Sequence, residues 1–317
     1  MKLHNLRDFV AVARSGGIRA AARQLNLSQP ALSKSIAQLE DELGTPLFDR
    51  SAQGSTLNGF GKRFLTRAEA AMQELARGSE EIAQMRGSLG GRVAFAASSV
   101  VALSFLPDAL SRFRRRFPDA ALDVVEGTHA VMMRGLQERR LDFAVGPVRA
   151  AQLPDGMIVE LLFENTRCVV GRRGHPLIGA GSLDRLATAE WLTTGALGSR
   201  DDDFQAAFEQ HGLEPPPSLT RCESLIALTA LLSSTDALAI LPRQWPDSPA
   251  LDAVLVEIPV RERIDGPATC LMRPGGMPLT PAAEALADAI RVSAANRDNR
   301  GLSLRRKSGL QSLVAAA

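Results

Sequence analysis

The amino-acid sequence predicts a protein of mixed α/β class, with an all-helical N-terminal domain followed by two α/β lobes. Three observations lead to this prediction. Apolar residues in the first 43 positions recur every three or four residues, which is the spacing of helices. From Arg92 onward, short apolar strand patterns alternate with helix patterns, which is typical of α/β units. A chain of 317 residues with 45% hydrophobic content is long enough for two or three domains with substantial cores.

The formal charge of +2 is unevenly distributed along the chain. Residues 1–67 and residues 291–317 each carry a net charge of +5, so the intervening body carries −8. Basic ends around an acidic body predict that any contact with a polyanion is made at the ends. Residues 297–317 form a basic tail without a clear pattern; a disordered segment, a remnant of cloning and a nucleic-acid contact all fit it.

Cysteine usage and the N-terminus predict the compartment. The three cysteines, Cys168, Cys222 and Cys270, are an odd number at wide spacing. This favours a reducing cytoplasm over a disulfide framework or a cysteine metal site. The first eight residues contain no apolar signal region. No apolar run reaches the roughly 20 residues of a membrane span, so we expect no membrane contact.

Three helices are predicted in the first 43 residues. The first carries an apolar stripe from Leu3 to Ala13 and ends at Gly16–Gly17. The other two lie between Ala20 and Leu43 and are joined by a tight turn. Such a pair is typical of a helix-turn-helix, with the first helix packed behind it.

The last of these helices begins at Ser28, whose hydroxyl can cap it, and Pro30 falls in its first turn, where a missing N–H costs nothing. Its buried face is predicted to hold Leu32, Ile36, Leu39 and Leu43. Its opposite face holds donors, acceptors and one cation, namely Gln29, Ser33, Lys34 and Gln38. Such a face can read base edges in a DNA major groove, but an ordinary two-helix corner with a solvated polar face fits the spacing equally well.

A two-stranded wing is predicted between Thr45 and Asn58, with Arg50 placed to reach a phosphate or the minor groove. Asn58 can cap the helix that follows the wing. The glycines of Gly59–Arg63 lack the spacing of a phosphate-binding loop, and no strand clearly precedes them. We therefore expect the start of a helix there.

From residue 61 to residue 89 small and apolar residues keep a seven-residue step, which predicts a seam that pairs with another helix. The seam consists of Gly61, Phe64, Ala68, Ala71, Leu75, Gly78, Ile82, Met85 and Leu89. One long helix packed on its own domain is the alternative. Residues 88–91, Ser-Leu-Gly-Gly, predict a hinge after it.

The remaining chain predicts a largely parallel sheet with helices on its faces. Strands are predicted at residues 93–97, 121–125, 142–146, 167–170, 191–194, 219–222, 237–241, 254–258 and 268–272. Helices are predicted at residues 102–117, 128–140, 204–211, 225–232 and 280–296. Two lobes joined by two crossing strands make a periplasmic-binding-protein-like fold, with crossovers expected near residues 146–147 and 222–223. The last two predicted strands are expected to return to the first lobe.

A ligand is expected beyond the C-terminal ends of the strands, beside helix N-termini that favour an anion or a polar oxygen. The candidates for this site are Ser98, Ser99, Val100, Gly127, Thr128, His129, Pro147, Val148, Thr194, Glu223 and Ser224. Three of them have a simpler structural role available, because Ser98, Thr128 and Ser224 can cap their helices.

No catalytic constellation is evident. The four histidines lie far apart and outside metal-ligand motifs. Asp201–Asp203 precedes a predicted helix, where carboxylates favour the positive end of the helix dipole. No nucleophile elbow or dinucleotide fingerprint occurs. We therefore predict neither an enzyme nor a cofactor.

The first sixty residues contain an ordered set of positions, namely Leu6, Phe9, Gly17, Ala20–Ala22, Leu25, Ser28–Ser33, Ile36, Leu39–Glu40, Leu43–Gly44, Leu47–Phe48 and Arg50. In this order they resemble the LysR-type transcriptional regulators, and the layout of the remaining chain agrees. The wing of these relatives usually ends in Leu-Thr-x-x-Gly, whereas Leu57 is followed here by Asn58. Because Asn58 can still cap the next helix, we expect no loss of function.

The resemblance favours the DNA-reading interpretation over the two-helix corner. It implies a winged helix-turn-helix domain at residues 1–60, a linker helix for dimerisation at 61–89 and an effector-binding domain at 92–296. Within that domain we assign lobe I to residues 92–146 and 247–296, and lobe II to 147–246. The expected DNA contacts are Arg23, Ser28, Gln29, Pro30, Ser33, Lys34, Gln38 and Arg50.

The resemblance also implies the partners. These are promoter or operator DNA, a small organic acid (aromatic acids included) as effector, RNA polymerase, and further copies of the chain in a dimer or tetramer. Two other function classes remain open, a solute-binding module with a helical assembly domain and an enzyme of small acids. A preferred DNA fragment would argue against the first, and turnover of a bound acid would favour the second.

Overall fold

The structure is a computed structural model that describes residues 1–51, 54–148, 154–194, 202–217, 219–222 and 224–296. The chain divides into two compact units. The first consists of residues 1–88 together with the short segment 135–140, and the second of the described residues within 89–134 and 141–296. None of the helices in the described ranges is long and apolar enough to cross a membrane.

The first unit is a three-helix domain with a two-stranded wing and a long final helix. Its elements are α1 (Leu3–Ser15), α2 (Ile18–Leu25), α3 (Gln29–Leu43), β1 (Phe48–Ser51), β2 (Gly54–Leu57) and α4 (Gly59–Met85). The predicted caps are confirmed. The Ser28 hydroxyl accepts a hydrogen bond from the Ala31 N–H at 3.3 Å, and Asn58 Oδ1 accepts one from the Gly61 N–H at 2.9 Å. The expected winged helix-turn-helix is therefore present.

One aromatic side chain, Phe9 of α1, joins the elements of this domain. Its ring centroid lies 5.5 Å from that of Phe48 in the wing and 5.3 Å from that of Phe64 in α4. The apolar face of α3 packs into the same core as predicted, with the exception of Leu43, which is 39% exposed. The prediction of a buried Leu43 is wrong because α3 ends there, and Gly44 turns the chain away with a φ of +67°.

The seam of α4 is divided between two environments. At its N-terminal end Gly61 and Ala68 are buried against their own domain. Further along, Leu75, Ile82 and Met85 are exposed, Ile82 to 58% and Met85 to 72%. The first half of the seam therefore packs on its own domain, whereas the second half presents an apolar stripe to solvent.

Within the described residues, the second unit is built on one nine-stranded sheet. Its strands are β3 (Arg92–Ala97), β4 (Ala121–Glu126), β5 (Phe143–Pro147), β6 (Met157–Arg172), β7 (Trp191–Thr194), β8 (Leu219–Cys222), β9 (Leu238–Pro242), β10 (Leu255–Ile258) and β11 (Ile264–Pro274). The order is β4-β3-β5-β11-β6-β9-β7-β8, and β10 also pairs with β6. Strands β4, β3 and β5 are parallel, as are β8, β7 and β9.

The expectation of a largely parallel sheet is wrong for its centre. Strand β11 is antiparallel to both β5 and β6, and β6 is antiparallel to β9 and β10. The parallel strands belong to βα units, as predicted, while β6 and β11 connect the two lobes in opposite directions. Opposite chain directions make their pairing antiparallel.

Six α-helices lie beside the sheet in the part of the chain that the structure describes. They are α5 (Ser99–Ser104), α6 (Leu106–Arg116), α7 (His129–Gln137), α8 (Asp202–Glu209), α9 (Leu225–Ser234) and α10 (281–296). The single helix predicted over residues 102–117 is two helices that meet at Phe105. Pro107 lies in the first turn of α6, where its missing N–H is tolerated, whereas a continuous helix would lose a hydrogen bond at that position.

The crossings between the lobes lie inside β6 and β11. The first part of β6 pairs with β11, and its last part, from Arg167 to Arg172, pairs with β9 and β10. The predicted crossovers near residues 146–147 and 222–223 are therefore wrong. Residues 146 and 147 lie within β5 and pair with β11, and Cys222 ends β8 at the edge of the sheet. The sequence predicts only residues 167–170 of the 16-residue β6 as strand.

The second lobe is larger than predicted. Leu255 and Ile258 of β10 and Ile264 of β11 are buried in the cores of the second lobe, with Trp191 and Leu238. The assignment of residues 247–296 to the first lobe is therefore wrong for β10, which pairs with the far end of β6. Strand β11 returns the chain to the first lobe, where α10 completes a core that contains Leu271 and Leu286.

We predict that Gly61→Ala destabilises the N-terminal domain by about 3 kcal/mol, since overpacking costs typically 1–3 kcal/mol. A Cβ at residue 61 would lie 2.1 Å from the carbonyl oxygen of Leu47, and backbone cannot easily move away. Calorimetric unfolding of the full chain measures the change.

The matched control is Gly59→Ala, two residues earlier in the same helix, where a Cβ meets nothing within 4 Å. We expect its free energy of unfolding to stay within about 0.5 kcal/mol of the wild-type value. Equal effects of the two substitutions would contradict the tight contact between α4 and the wing.

Candidate DNA-binding face and effector site

The exposed face of α3 carries the predicted polar side chains. Burial of Leu32, Ile36 and Leu39 fixes which side of the helix faces outward. On the outer side Gln29, Pro30, Lys34 and Gln38 are exposed, Ser33 is half-buried, and Ser28 caps the start of the helix. The predicted residues of α3 are therefore brought together on one surface, with amide, hydroxyl and ammonium groups side by side.

Cations from α2 border this surface. Arg23 is exposed, and Arg19, one turn earlier on the same helix, is exposed as well. Within the described part of the chain, neither these two arginines nor Lys34 forms an ion pair, so their charges are available to phosphates. Arg19 was not among the predicted DNA contacts. Its four-residue spacing from Arg23 is the sequence signal that could have indicated it.

The wing is tied to α3 through Glu40. One carboxylate oxygen, Oε1, accepts hydrogen bonds from the backbone N–H groups of Leu47 at 2.7 Å and Phe48 at 3.3 Å. Arg50 lies in β1 opposite Ser55 of β2, two residues beyond Phe48; the position of its side chain lies outside the described atoms. Glu40 thereby sets the start of the strand that carries Arg50 relative to the polar face of α3.

In the first lobe, the predicted effector residues share one edge of the sheet. Ser98–Val100 follow β3 and Gly127–His129 follow β4, and both strands run parallel to β5, which ends at Pro147. Thr128 is exposed, while Ser99, Gly127, His129, Pro147 and Val148 are partly buried. These residues therefore line a common edge, as expected from the parallel strands.

In the second lobe, Thr194 ends β7 and Ser224 follows β8, and these two strands are parallel neighbours. Both residues are exposed. Glu223, also predicted, lies outside the described residues. Val100 of the first lobe is buried in the same core as Leu192 and Cys222 near the ends of these strands, so it packs against the second lobe.

Ser98 is distinguished from the other hydroxyls by its burial. Its side chain is only 6% exposed, and its Oγ forms no hydrogen bond within the described residues. It does not cap α5, so that structural role is excluded for it. Ser224 does cap its helix, because its Oγ accepts a hydrogen bond from the Ala227 N–H at 3.4 Å. A buried hydroxyl without a partner is a group that a ligand oxygen can satisfy.

The cysteines are buried and carry free thiols. Burial raises the pKa of the Cys168 thiol far above its usual value, and burial also raises the pKa of Cys270. Raised pKa values keep these groups protonated and unreactive at neutral pH.

In the described ranges, no cluster of three or more His, Cys, Asp or Glu side chains could hold a metal ion. Helix α8 begins at Asp202, two residues before its predicted start, so Asp202 and Asp203 belong to its first turn instead of preceding it, while Asp201 lies outside those ranges.

The fold and these two sites define a class of protein, a DNA-binding regulator with an effector-binding domain. Two family models match the chain. Residues 3–62 match the bacterial regulatory helix-turn-helix protein, lysR family, and residues 86–295 match the LysR substrate binding domain. The chain therefore belongs to the LysR family, and it is a transcriptional regulator whose activity an effector controls.

Relatives and solved structures agree with this assignment. The chain is 30% identical over 287 residues to the HTH-type transcriptional regulator PcaQ of Agrobacterium fabrum, which covers 89% of this chain and 91% of the relative. It is 27% identical to the regulator TdcA of Escherichia coli over 83% of this chain and 84% of that protein. The crystal structure of CbnR, a LysR family transcriptional regulator, has a TM-score of 0.66 at 24% identity and covers 93% of this chain and 99% of CbnR.

We predict that Glu40→Ala lowers the free energy of unfolding of the N-terminal domain by about 2–4 kcal/mol, because two N–H groups lose a charged acceptor. We also expect weaker DNA binding, since the wing is no longer held relative to α3. Chemical unfolding and gel-shift titration measure the two effects.

The control is Asp41→Ala, an exposed carboxylate on the next residue of α3. It changes the net charge by the same amount as Glu40→Ala does. If the two variants bound DNA with equal affinity, the role of Glu40 in placing the wing would be refuted.

Proposed function

We propose that the polar face of α3 enters the DNA major groove and reads the operator sequence. The proposed contacts are Arg23, Ser28, Gln29, Pro30, Ser33, Lys34, Gln38 and Arg50, with Arg19 added from its position on α2. The single observation that supports this most is the grouping of exposed amides, hydroxyls and unpaired cations on one side of a well-packed helix pair. Amides and hydroxyls suit base edges, and cations suit phosphates. CbnR, a structural relative, has been crystallised with its target DNA.

The effector is proposed to be a small organic acid bound at the facing strand ends of the two lobes. Ser98 supports this proposal, because it combines deep burial with an unused hydroxyl at the start of α5. Proposed partners of the acid in the first lobe are Ser99, Gly127, Thr128 and His129, with Pro147 and Val148 as apolar wall. In the second lobe they are Thr194, Glu223 and Ser224.

The exposed half of the α4 seam is proposed to pair with the same helix of a second copy. Leu75, Ile82 and Met85 place apolar side chains in solvent. Leu75 and Ile82 are seven residues apart, and Met85 belongs to the second row of the same heptad pattern, as on a helix-pairing surface. A dimer would present two reading helices to a two-fold-related DNA site. Four copies and a contact with RNA polymerase extend this proposal.

Regulation would then act by linkage. The effector binds one arrangement of the lobes better than another, and the difference in binding free energy changes how the copies pair. The altered spacing of the reading helices changes DNA bending and polymerase access. A regulator that reads chromosomal DNA works in the cytoplasm of a bacterial cell, which is the proposed location.

We predict that Gln29→Ala costs about 1–3 kcal/mol of binding free energy on the preferred operator and leaves binding to random DNA unchanged, because it removes contacts to base edges. Gel-shift titration against the chain's own upstream DNA and a scrambled fragment measures both. Gln137→Ala, an exposed glutamine at the end of α7, is the control and should change neither. If Gln29→Ala lost the same binding free energy on both fragments, the proposal that Gln29 reads bases would be contradicted.

Substitution of Arg50 or Lys34 by Ala should instead weaken binding to all sequences and reduce the slope of log affinity against log salt by about one. Titrations at several salt concentrations give this slope. The same titrations test the alternatives, since a solute-binding module would prefer no fragment at any salt concentration. Catalytic turnover of a bound acid would instead favour the hypothesis that the protein is an enzyme.

We predict that Ser98→Ala leaves the melting temperature of the free protein unchanged or raises it, because the lost hydroxyl has no partner. The variant should bind the effector at least tenfold more weakly. A thermal-shift screen over small organic acids identifies the compound, and titration of both proteins gives the change. Ser233→Ala on α9, whose hydroxyl donates to the Ala230 carbonyl, should keep wild-type affinity. Unchanged affinity in Ser98→Ala would place the effector elsewhere.

A further inference from the structure

The second half of α4 buries polar side chains and exposes apolar ones. The Arg77 side chain is only 17% exposed, and Gln84 is buried. By contrast, Leu75, Ile82 and Met85 of the same half are exposed. Because arginine side chains are mostly exposed in folded proteins unless they are paired, the burial of Arg77 indicates that this side of the helix has a partner of its own.

That partner is the turn at the end of α7. Nη2 of Arg77 donates a hydrogen bond to the backbone carbonyl of Arg139 at 3.1 Å. The same guanidinium forms an ion pair with Glu74, one turn earlier in α4, which holds it in place. Residues 135–140 belong to the same compact unit as α4, so this contact lies within the first unit.

The ending of α7 presents the carbonyl of Arg139. The Arg139 N–H donates to the Leu136 carbonyl at 3.1 Å. The Arg140 N–H donates to the Gly135 carbonyl at 2.9 Å. These two bonds form a Schellman motif, and Arg139 occupies its left-handed position with a φ of +57°. This conformation is easy for glycine and unfavourable for arginine, and such positions occur where the surrounding structure fixes them, often at switch regions.

The other end of α7 lies at the proposed effector site. Thr128 and His129, at the start of the helix, are proposed partners of the acid. Met132, one turn further on, is fully buried and packs onto Gly146 of β5. A Cβ added at residue 146 would lie 2.8 Å from Met132 Cε and 3.3 Å from Ser98 Cβ. A ligand that contacts Ser98 therefore lies beside the side chain that anchors α7.

Helix α7 is short and continuous, so its two ends move together. Its nine residues span about 13 Å at the rise of an α-helix. Its first residues belong to the second unit, and its residues from 135 onward belong to the first. Close packing against Gly146 leaves little free volume, so a shift at the start of the helix is transmitted along it.

We propose that α7 couples the effector site to α4, with the hydrogen bond from Arg77 to the Arg139 carbonyl as the connecting contact. This inference rests on the proposed effector and DNA-binding sites. An effector beside Ser98 displaces Met132 and with it α7, which lengthens the bond to Arg77. Helix α4 begins two residues after the wing ends, so a change in its position also changes the spacing of the reading helices in a dimer.

The experiment imitates an occupied effector site by substitution, so it needs no identified ligand. Gly146→Ala places a methyl group against the Met132 thioether, and Met132→Leu alters the same contact from the side of α7 with little change in volume. Gel-shift titration of the full chain with its own upstream DNA gives the affinity. We expect at least one of the two substitutions to change this affinity at least threefold.

The same substitutions are then combined with Arg77→Leu, which removes the donor and keeps a residue that favours helices. In this background we expect the change in affinity to fall below 1.5-fold, because the connecting contact is gone. The control background is Arg67→Leu, which removes an exposed arginine from the first half of α4 and should keep the threefold change. Arg139→Gly retains both the carbonyl and the left-handed turn and should keep it too.

A second measurement tests the contact without DNA. Hydrogen exchange of the full chain reports how well the end of α7 is held. Arg77→Leu should raise the exchange rates of the backbone N–H groups of Arg139 and Arg140 at least fivefold, whereas Arg67→Leu should leave them unchanged. Melting temperatures of all variants establish that each of them is folded.

Several outcomes would overturn the inference. These are an unchanged DNA affinity in both Gly146→Ala and Met132→Leu, an equal change in the wild-type and Arg77→Leu backgrounds, and a change that Arg67→Leu abolishes as well. If the chain still prefers its own upstream fragment in these cases, the DNA-reading proposal stands and only the coupling through α7 fails. A chain that prefers no fragment contradicts the DNA-reading proposal and the coupling together.

Discussion

The second unit depends on the pairing of β6 with β11. The ladder between these strands extends from Met157 opposite Pro274 to Arg167 opposite Ile264. At one end β11 also pairs with β5, and at the other end β6 also pairs with β9. Both lobes are therefore attached to one antiparallel ladder, and any change in their relative position has to bend it. Its register is irregular between residues 266 and 270, where a sheet bends and twists most readily.

The positions of the polar residues in the second unit follow from this arrangement of strands. Parallel strands within each lobe place their C-terminal ends, and the polar residues that follow them, at a common edge. The crossing strands carry Asn165 and Thr269, whose Oδ1 and Oγ1 atoms are buried without a hydrogen-bond partner in the described structure. At the edge of the first lobe, Ser98 Oγ is also buried without a partner in the described structure, which is a condition that a bound small molecule would relieve.

The first unit is held together by side-chain hydrogen bonds and an aromatic cluster that connect the wing and α4 to the other helices. Glu40 binds the strand that leads into the wing, Asn58 caps α4 and also donates to the Pro46 carbonyl at 2.9 Å, and Phe9 packs against both wing and α4. These contacts fix the proposed DNA-reading face before binding, and a preorganised surface loses little conformational freedom when it binds.

Local patterns in the sequence were sufficient for the N-terminal domain, the caps at Ser28 and Asn58, the polar face of α3 and most strands and helices of the lobes. These features depend on periodicity, capping and turn residues, which act over a few positions. Only the tertiary structure decided the antiparallel centre of the sheet, the length of β6 and the place of β10 in the second lobe. It also decided which polar groups are unsatisfied, for example Thr269 compared with Ser224. Such outcomes depend on pairing between residues about 100 positions apart, and no local pattern contains that information.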